Sequence, residues 1–130
     1  MEAFSFEKLD VYQKALRWVQ AVDEICSRAK GRVSANTLDQ LSRAALSVAL
    51  NIAEGNGRWH TADKRQFFWI ARGSVFECVP LLEVLKCGAV IHQEDYENHR
   101  KSLADLGKML SGLLKAVEKM GASRAAAMAE

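Results

Sequence analysis

Apolar residues recur along this chain at alternating spacings of three and four, the period of an α-helix that buries one side, in four separate segments. Over residues 7–30, Val11, Ala15, Trp18, Val22, Ile25 and Ala29 form one seam, and Gly31 supplies a stop. A second helix starts near Thr37, with Gln40 three places on as a capping box, and runs to Glu54. Gly55 and Gly57 then close it by taking the left-handed conformation. Its polar stripe, Gln40, Arg43, Ser47, Asn51 and Glu54, faces away from Leu41, Ala45, Val48 and Ile52. Leu46, Ala49, Leu50 and Ala53 widen the apolar arc to roughly half the circumference, so this helix should touch more than one neighbour.

The third segment runs from Thr61, as helix cap, to about Cys87. Phe67, Ile70, Ala71, Ser74, Cys78, Leu81 and Leu85 form its expected core face, and Pro80 predicts a kink near residues 76–80. Gly88 ends it. Glu94, Asp95 and Glu97 favour the positive end of a fourth helix, whose Tyr96, His99, Leu103, Leu106, Leu110, Leu113 and Val117 repeat over three heptads. From Gly121 the small-residue tail has no seam and should fray. Short connections between four such helices predict an all-α, antiparallel up-down-up-down four-helix bundle over residues 1–120, followed by a flexible tail, 121–130.

With 130 residues, 49% of them hydrophobic, the chain can bury one core without metal or disulfide help. Eighteen basic against 16 acidic residues leave a net charge of +2, so any electrostatic footprint must be local. Cys26, Cys78 and Cys87, odd in number and widely spaced, suit reduced thiols in a cytoplasm. His60, His92 and His99 make no metal spacing with each other or with cysteine, and His99 reads as a packed histidine. The opening MEAFSFEKLD lacks the pattern of a signal peptide, and no apolar run approaches the ~18 residues of a membrane span. The G-x-G at residues 55–57 follows no strand, and Ser47 and Ser74 lack a Gly-x-Ser-x-Gly context, so neither a cofactor nor a catalytic residue is expected.

Three surfaces carry candidate roles. The stripe of Gln40, Arg43, Ser47, Asn51 and Glu54 can meet Ser74 and Glu77 of the third helix, with Gly73 permitting close approach. A polar junction fixing helix register is the preferred reading. A ligand site or a catalytic carboxylate pair, Glu54 with Glu77, is the alternative, and it lacks a visible substrate positioner. Arg65, Trp69, Arg72 and Phe76 lie opposite the core face of helix three and, with Leu46 and Leu50, form an expected subunit interface; base stacking on a single-stranded nucleic acid is its rival. Lys101, Lys108, Lys115 and Lys119, with Arg100 at the edge, make a stripe along helix four that Glu97 and Asp105 dilute: either a solvated face or a track for RNA phosphates.

With these residues placed, the chain resembles the bacterial four-helix-bundle family named for proteins encoded in intervening sequences of large-subunit ribosomal RNA genes, over about residues 4–118. The resemblance rests on F-x-x-L-x-V-Y-Q-K-A at residues 6–15, Q-L-x-R-A-A-x-S at 40–47, N-I-A-E-G-x-G-R at 51–58 and A-x-G-S-x-x-E at 71–77. It implies an antiparallel bundle able to assemble as a ring-like homopentamer. It extends distantly to the accessory protein of diversity-generating retroelements, which works with a reverse transcriptase and binds nucleic acid through a basic surface. This chain differs from that relative in being nearly charge-balanced. The expectation is a cytoplasmic, non-enzymatic bundle that self-associates and serves as an RNA-associated or scaffold protein, with no membrane partner. The alternative is a small-molecule binder or small enzyme using Asn51, Glu54 and Glu77.

Overall fold

The computed structural model describes residues 1–129. A 3-10 turn (Ser5–Lys8) leads into four helices, α1 (Asp10–Ala29), α2 (Ala35–Gly57), α3 (Thr61–Cys87) and α4 (Gln93–Ala129), with no strand among the described residues. All six residues of the predicted α1 seam are buried, and Gly31 ends the helix at φ +81°. The helix starts at Asp10 because Leu9 is extended and separates it from the 3-10 turn.

α1 packs on α2, α2 on α3 and α3 on α4, while α1 also touches α4. Ser47 of α2 meets Ser74 of α3, and Gly55 meets Phe68, so position rises along α2 as it falls along α3. Arg72 with Ser111, and Lys86 with Tyr96, repeat that relation between α3 and α4. The four-helix bundle closes on Leu41, Ile52, Leu82, Leu85, Leu103, Leu106 and Leu110, all fully buried. Each such side chain contributes about 1.5–3 kcal/mol by leaving water. Trp18 donates its indole N–H to Cys78 Sγ at 3.4 Å inside this core, and burial pushes the Cys78 thiol up to about 11, which keeps it inert. All three cysteines are free: Cys78 buried, Cys26 half-buried and Cys87 exposed.

Several local expectations are corrected. Ser34, not Thr37, caps α2, its hydroxyl accepting from the Asn36 N–H at 3.2 Å. α2 runs on through Gly55 to Gly57, and neither glycine is left-handed. Gly55 is instead a notch: a Cβ there would stand 2.7 Å from Cε1 of Phe68 and 3.0 Å from Cβ of Phe67. That notch seats Phe68 in the core, so the buried face of α3 is Phe68, Ala71, Ser74, Val75, Cys78, Leu82 and Leu85. Phe67 and Leu81 are half-buried and Ile70 is exposed. Pro80 lies inside α3, where the sequence pattern placed it.

The left-handed residue after α3 is Ala89, at φ 56°, rather than Gly88. The Ala89 N–H donates to Lys86 O and the Val90 N–H to Leu85 O, the paired bonds of a Schellman closure in which glycine usually occupies this place. An alanine held there costs roughly 1–2 kcal/mol. Ala89→Gly is therefore expected to raise stability by about 0.5–1 kcal/mol, because the glycine's extra freedom when unfolded takes back part of the gain. A thermal midpoint that stays the same or falls would show that the turn is unstrained.

The frayed tail expected from Gly121 onward is helical through Ala129, while Glu130 lies outside the described residues. Alanine is the best helix former, and this stretch is rich in it. It also has a partner that the heptad pattern did not reveal. Gly121 passes the Thr61 side chain, and Arg124 donates to the Trp59 carbonyl at 2.6 Å, with its guanidinium 4.0 Å from the Trp59 ring centroid. The helical end of the chain is thus pinned to the α2–α3 connection.

His99 is half-buried with its ring edge-on to Trp18, centroids 5.6 Å apart. Burial pushes its pKa below the ordinary 6.5, outweighing Asp95 and Glu24, which pull the other way. The folded chain therefore resists a proton that the unfolded chain accepts. This contribution is whole above pH 6.5 and is lost as pH falls below it. Denaturation midpoints should decline on that acid side less steeply in His99→Gln than in the wild type; identical slopes would assign the decline to other groups.

Candidate functional site

The structure joins two surfaces that the sequence kept apart. Arg72 of α3 donates from Nε to Ser111 Oγ of α4 at 3.1 Å, and its guanidinium lies 4.4 Å from the Phe76 ring centroid and 5.4 Å from that of Trp69. Arg72, packed among these aromatic neighbours, ties the two helices together. Beside it a groove of about 500 Å³ is lined by the buried Leu103 and Gly107 and by the exposed Lys108, Gly112 and Lys115. A Cβ on either glycine would meet nothing within 4 Å, so the absence of side chains there leaves the groove open.

A second cavity of about 340 Å³ shares Phe76, Leu103 and Ala104 with the first and extends past Pro80 to Arg100. Arg100 donates from Nη1 to the Tyr96 hydroxyl at 2.8 Å, which fixes the cation at that end. Arg72, Arg100, Lys108 and Lys115 line the two cavities with no aspartate or glutamate among the lining residues. From Arg100 to Lys115 the α4 backbone rises about 22 Å. A basic groove with aromatic neighbours and small residues in its lining can follow a chain of phosphates and stack planar rings.

The acids that diluted the lysine stripe in sequence lie elsewhere. Asp105 is 3.8 Å from Lys14 of α1, and Glu97 accepts a hydrogen bond from Gln93 at 3.0 Å. Lys101 and Lys119 are exposed on α4 but line neither cavity, and Arg65 is exposed near the start of α3.

The expected interface residues Leu46, Leu50, Trp69 and Phe76 stand outward, together with Ile70 and Val84, each with 43–59% of its surface in water. Leu46 and Leu50 lie on α2, while Phe76 lines the α3–α4 groove. Sequence reading missed Val84 and placed Ile70 in the core, because consecutive apolar residues leave the phase of a helix open.

Of the polar stripe, only Ser47, Asn51 and Ser74 come together. Ser74 donates to Ser47 Oγ at 2.8 Å, and Asn51 Nδ2 donates to Ser47 O at 2.8 Å and Oγ at 3.0 Å. This satisfies Ser74, which is buried between α2 and α3. Arg43 pairs with Asp39 at 3.0 Å and Glu54 with Arg58 at 2.7 Å, each within its own helix turn, while Gln40 and Glu77 are exposed. The Gly55–Phe68 contact puts Glu54 level with residue 69 of α3. Glu77 stands eight residues further on, about 12 Å along the helix. The two carboxylates therefore form no pair.

Among the described residues no group of three His, Cys, Asp or Glu side chains could hold a metal ion, and no helix is long and apolar enough to cross a membrane.

Comparison with known proteins places this geometry. The chain is similar to a protein of unknown function from the S23 ribosomal protein family of Bacteroides thetaiotaomicron, with a TM-score of 0.75 and 23% identity, covering 81% of this chain and 95% of that one. The two share a fold. The search of curated proteins finds no match. A family model described as 23S rRNA-intervening sequence protein matches residues 7–112, which take in all of α1, α2 and α3 and the first half of α4, and the chain belongs to that family.

Proposed function

We propose that this chain is a non-enzymatic, self-assembling bundle that associates with RNA, its subunits meeting through the outward faces of α2 and α3. The observation that carries the reading is the set of six large apolar side chains, Leu46, Leu50, Trp69, Ile70, Phe76 and Val84, left half in water on those two helices. A compact monomer of 14.4 kDa exposes about 6,800 Å², whereas this chain exposes 8200 Å². The last turns of α4 account for part of that surplus, and the α2–α3 face supplies apolar area of the kind that subunits cover. Opposed residue registers between neighbouring helices support the antiparallel up-down-up-down topology. Patches on both flanks of α3 suit head-to-tail contacts, which close into a ring. A ring-like homopentamer through Leu46, Leu50, Arg65, Trp69, Arg72 and Phe76 is the proposed form.

The RNA association is supported by the acid-free lining of the α3–α4 groove. Arg100, Lys108 and Lys115 are its phosphate contacts, with Lys101 and Lys119 extending the stripe along α4. Five copies would bring the net charge to about +10 and repeat the stripe around the ring, so weak contacts add through multivalency. Free thiols at Cys26, Cys78 and Cys87 suit a cytoplasmic setting. The small-enzyme alternative draws no support from Glu54 and Glu77, which stand apart.

Anisotropy of labelled single-stranded RNA across a salt series tests the RNA part. Binding should weaken steeply with salt, and Lys108→Glu with Lys115→Glu should lower affinity at least tenfold and flatten the salt slope. RNA that fails to bind at low salt, with the mass of the assembly unchanged, would leave a scaffold alone.

A further inference from the structure

At the opposite end of the bundle from Trp59 and Arg124, the C-terminal half of α1 and the first turns of α4 stand apart around a cavity of about 320 Å³. We propose that this cavity is a binding site for a small zwitterion of the free amino-acid class. Its volume sits at the lower end of small-molecule pockets, about 300–1,000 Å³. Its charges distinguish it from the α3–α4 groove. Arg28 and Arg32 bring two cations and Glu24 and Asp95 two anions, so the lining complements a molecule carrying one group of each sign and gives no preference to a polyanion.

These groups have bonding capacity to spare. Arg28 approaches Glu24 only at 3.9 Å, a long contact within one helix turn that leaves most guanidinium donors free. Neither the Arg32 nor the Asp95 side chain makes a hydrogen bond or ion pair among the described residues. A carboxylate between the two guanidiniums would receive charge-assisted hydrogen bonds, and an ammonium would donate to Glu24 and Asp95. His99 lines the same cavity, and with its pKa lowered by burial its neutral imidazole adds an acceptor.

An apolar wall of Ile25, Val90 and Ile91 completes the cavity and suits an aliphatic or aromatic side chain. Val90 and Ile91 reach this wall directly after the left-handed turn at Ala89. Metal binding does not compete as an explanation. Glu24, His92, Asp95 and His99 all line the cavity, yet they include no group of three placed to hold an ion.

The test uses the full chain, with amide NMR shifts read during titration by leucine and by phenylalanine to about 10 mM, enough to fill a site of about 1 mM Kd. Saturable shifts are expected at Ile25, Val90, Ile91 and His99 with at least one of the two. N-acetylleucine, which lacks the ammonium, and leucinamide, which lacks the carboxylate, should bind at least tenfold more weakly. Arg32→Gln, an exposed change in the α1–α2 connection, should weaken the amino acid at least tenfold with the spectrum otherwise unchanged, and Glu24→Gln serves as a second variant from the opposite charge. The proposal is overturned by the absence of saturable shifts with both amino acids, by equal affinity for the blocked compounds, or by wild-type affinity in both variants.

Discussion

Trp69→Ser combined with Phe76→Ser is expected to reduce the proposed assembly to monomers while the helical content of the chain stays unchanged. Both rings stand about half in water on α3, so their loss leaves the core around Leu82, Leu103 and Leu106 intact. Aromatic side chains at the centre of an interface each contribute on the order of 2 kcal/mol, about 30-fold in affinity, and two of them together about 1,000-fold. Such a loss dissolves a micromolar assembly at any ordinary working concentration. Arg72 loses both aromatic neighbours but keeps its bond to Ser111, so α3 and α4 stay joined. Light scattering reads the mass and circular dichroism the helicity. An unchanged mass would put the subunit contact on another face, and a loss of helicity would mean that the rings serve the fold.

The second large effect falls on stability. Gly55→Val should lower the folding free energy by about 3 kcal/mol, since even a Cβ at this position would sit 2.7 Å from the Phe68 ring and 3.0 Å from Cβ of Phe67. The Phe68 ring can rotate away, but the Phe67 Cβ moves only with the α3 backbone, so α2 and α3 must separate. Phe68 also leads the small cluster with Leu114 and Val117, and the strain should reach α4. Gly57→Ala provides the control. Nothing lies within 4 Å of a Cβ at Gly57, and the substitution should be neutral or stabilise the helix by up to about 1 kcal/mol. Urea denaturation distinguishes the two, and a Gly55→Val midpoint equal to the wild type would remove the notch from the fold's explanation.

Periodicity carried the reading of α1, where all six seam positions are buried. It faltered on α3, where neighbouring apolar residues compete for the buried face. Phe67 with Phe68, and Leu81 with Leu82, each offer two phases about 100° apart, and contacts with other helices decide between them. The glycine notch at Gly55 was readable only as a helix stop, because the ring that fills it comes from 13 residues further on. The tail gave no seam because its partner, Trp59, belongs to a connection rather than a helix.

The basic groove was half visible. Lys108 and Lys115 mark one edge in the sequence, and Arg72 and Phe76 mark the other, but only the register of α3 against α4 brings them to one cavity. The same register turns Asp105 toward Lys14, which no spacing along α4 reveals. The carboxylate pair failed for the converse reason, since a shared stripe in projection says nothing about height along the axis.

Sedimentation velocity of the wild-type chain at micromolar concentration is the most direct test of assembly through α2 and α3. A single species near 72 kDa, about five times the 14.4 kDa chain, is predicted for the ring. A monomer sedimenting alone across the concentration series would contradict it.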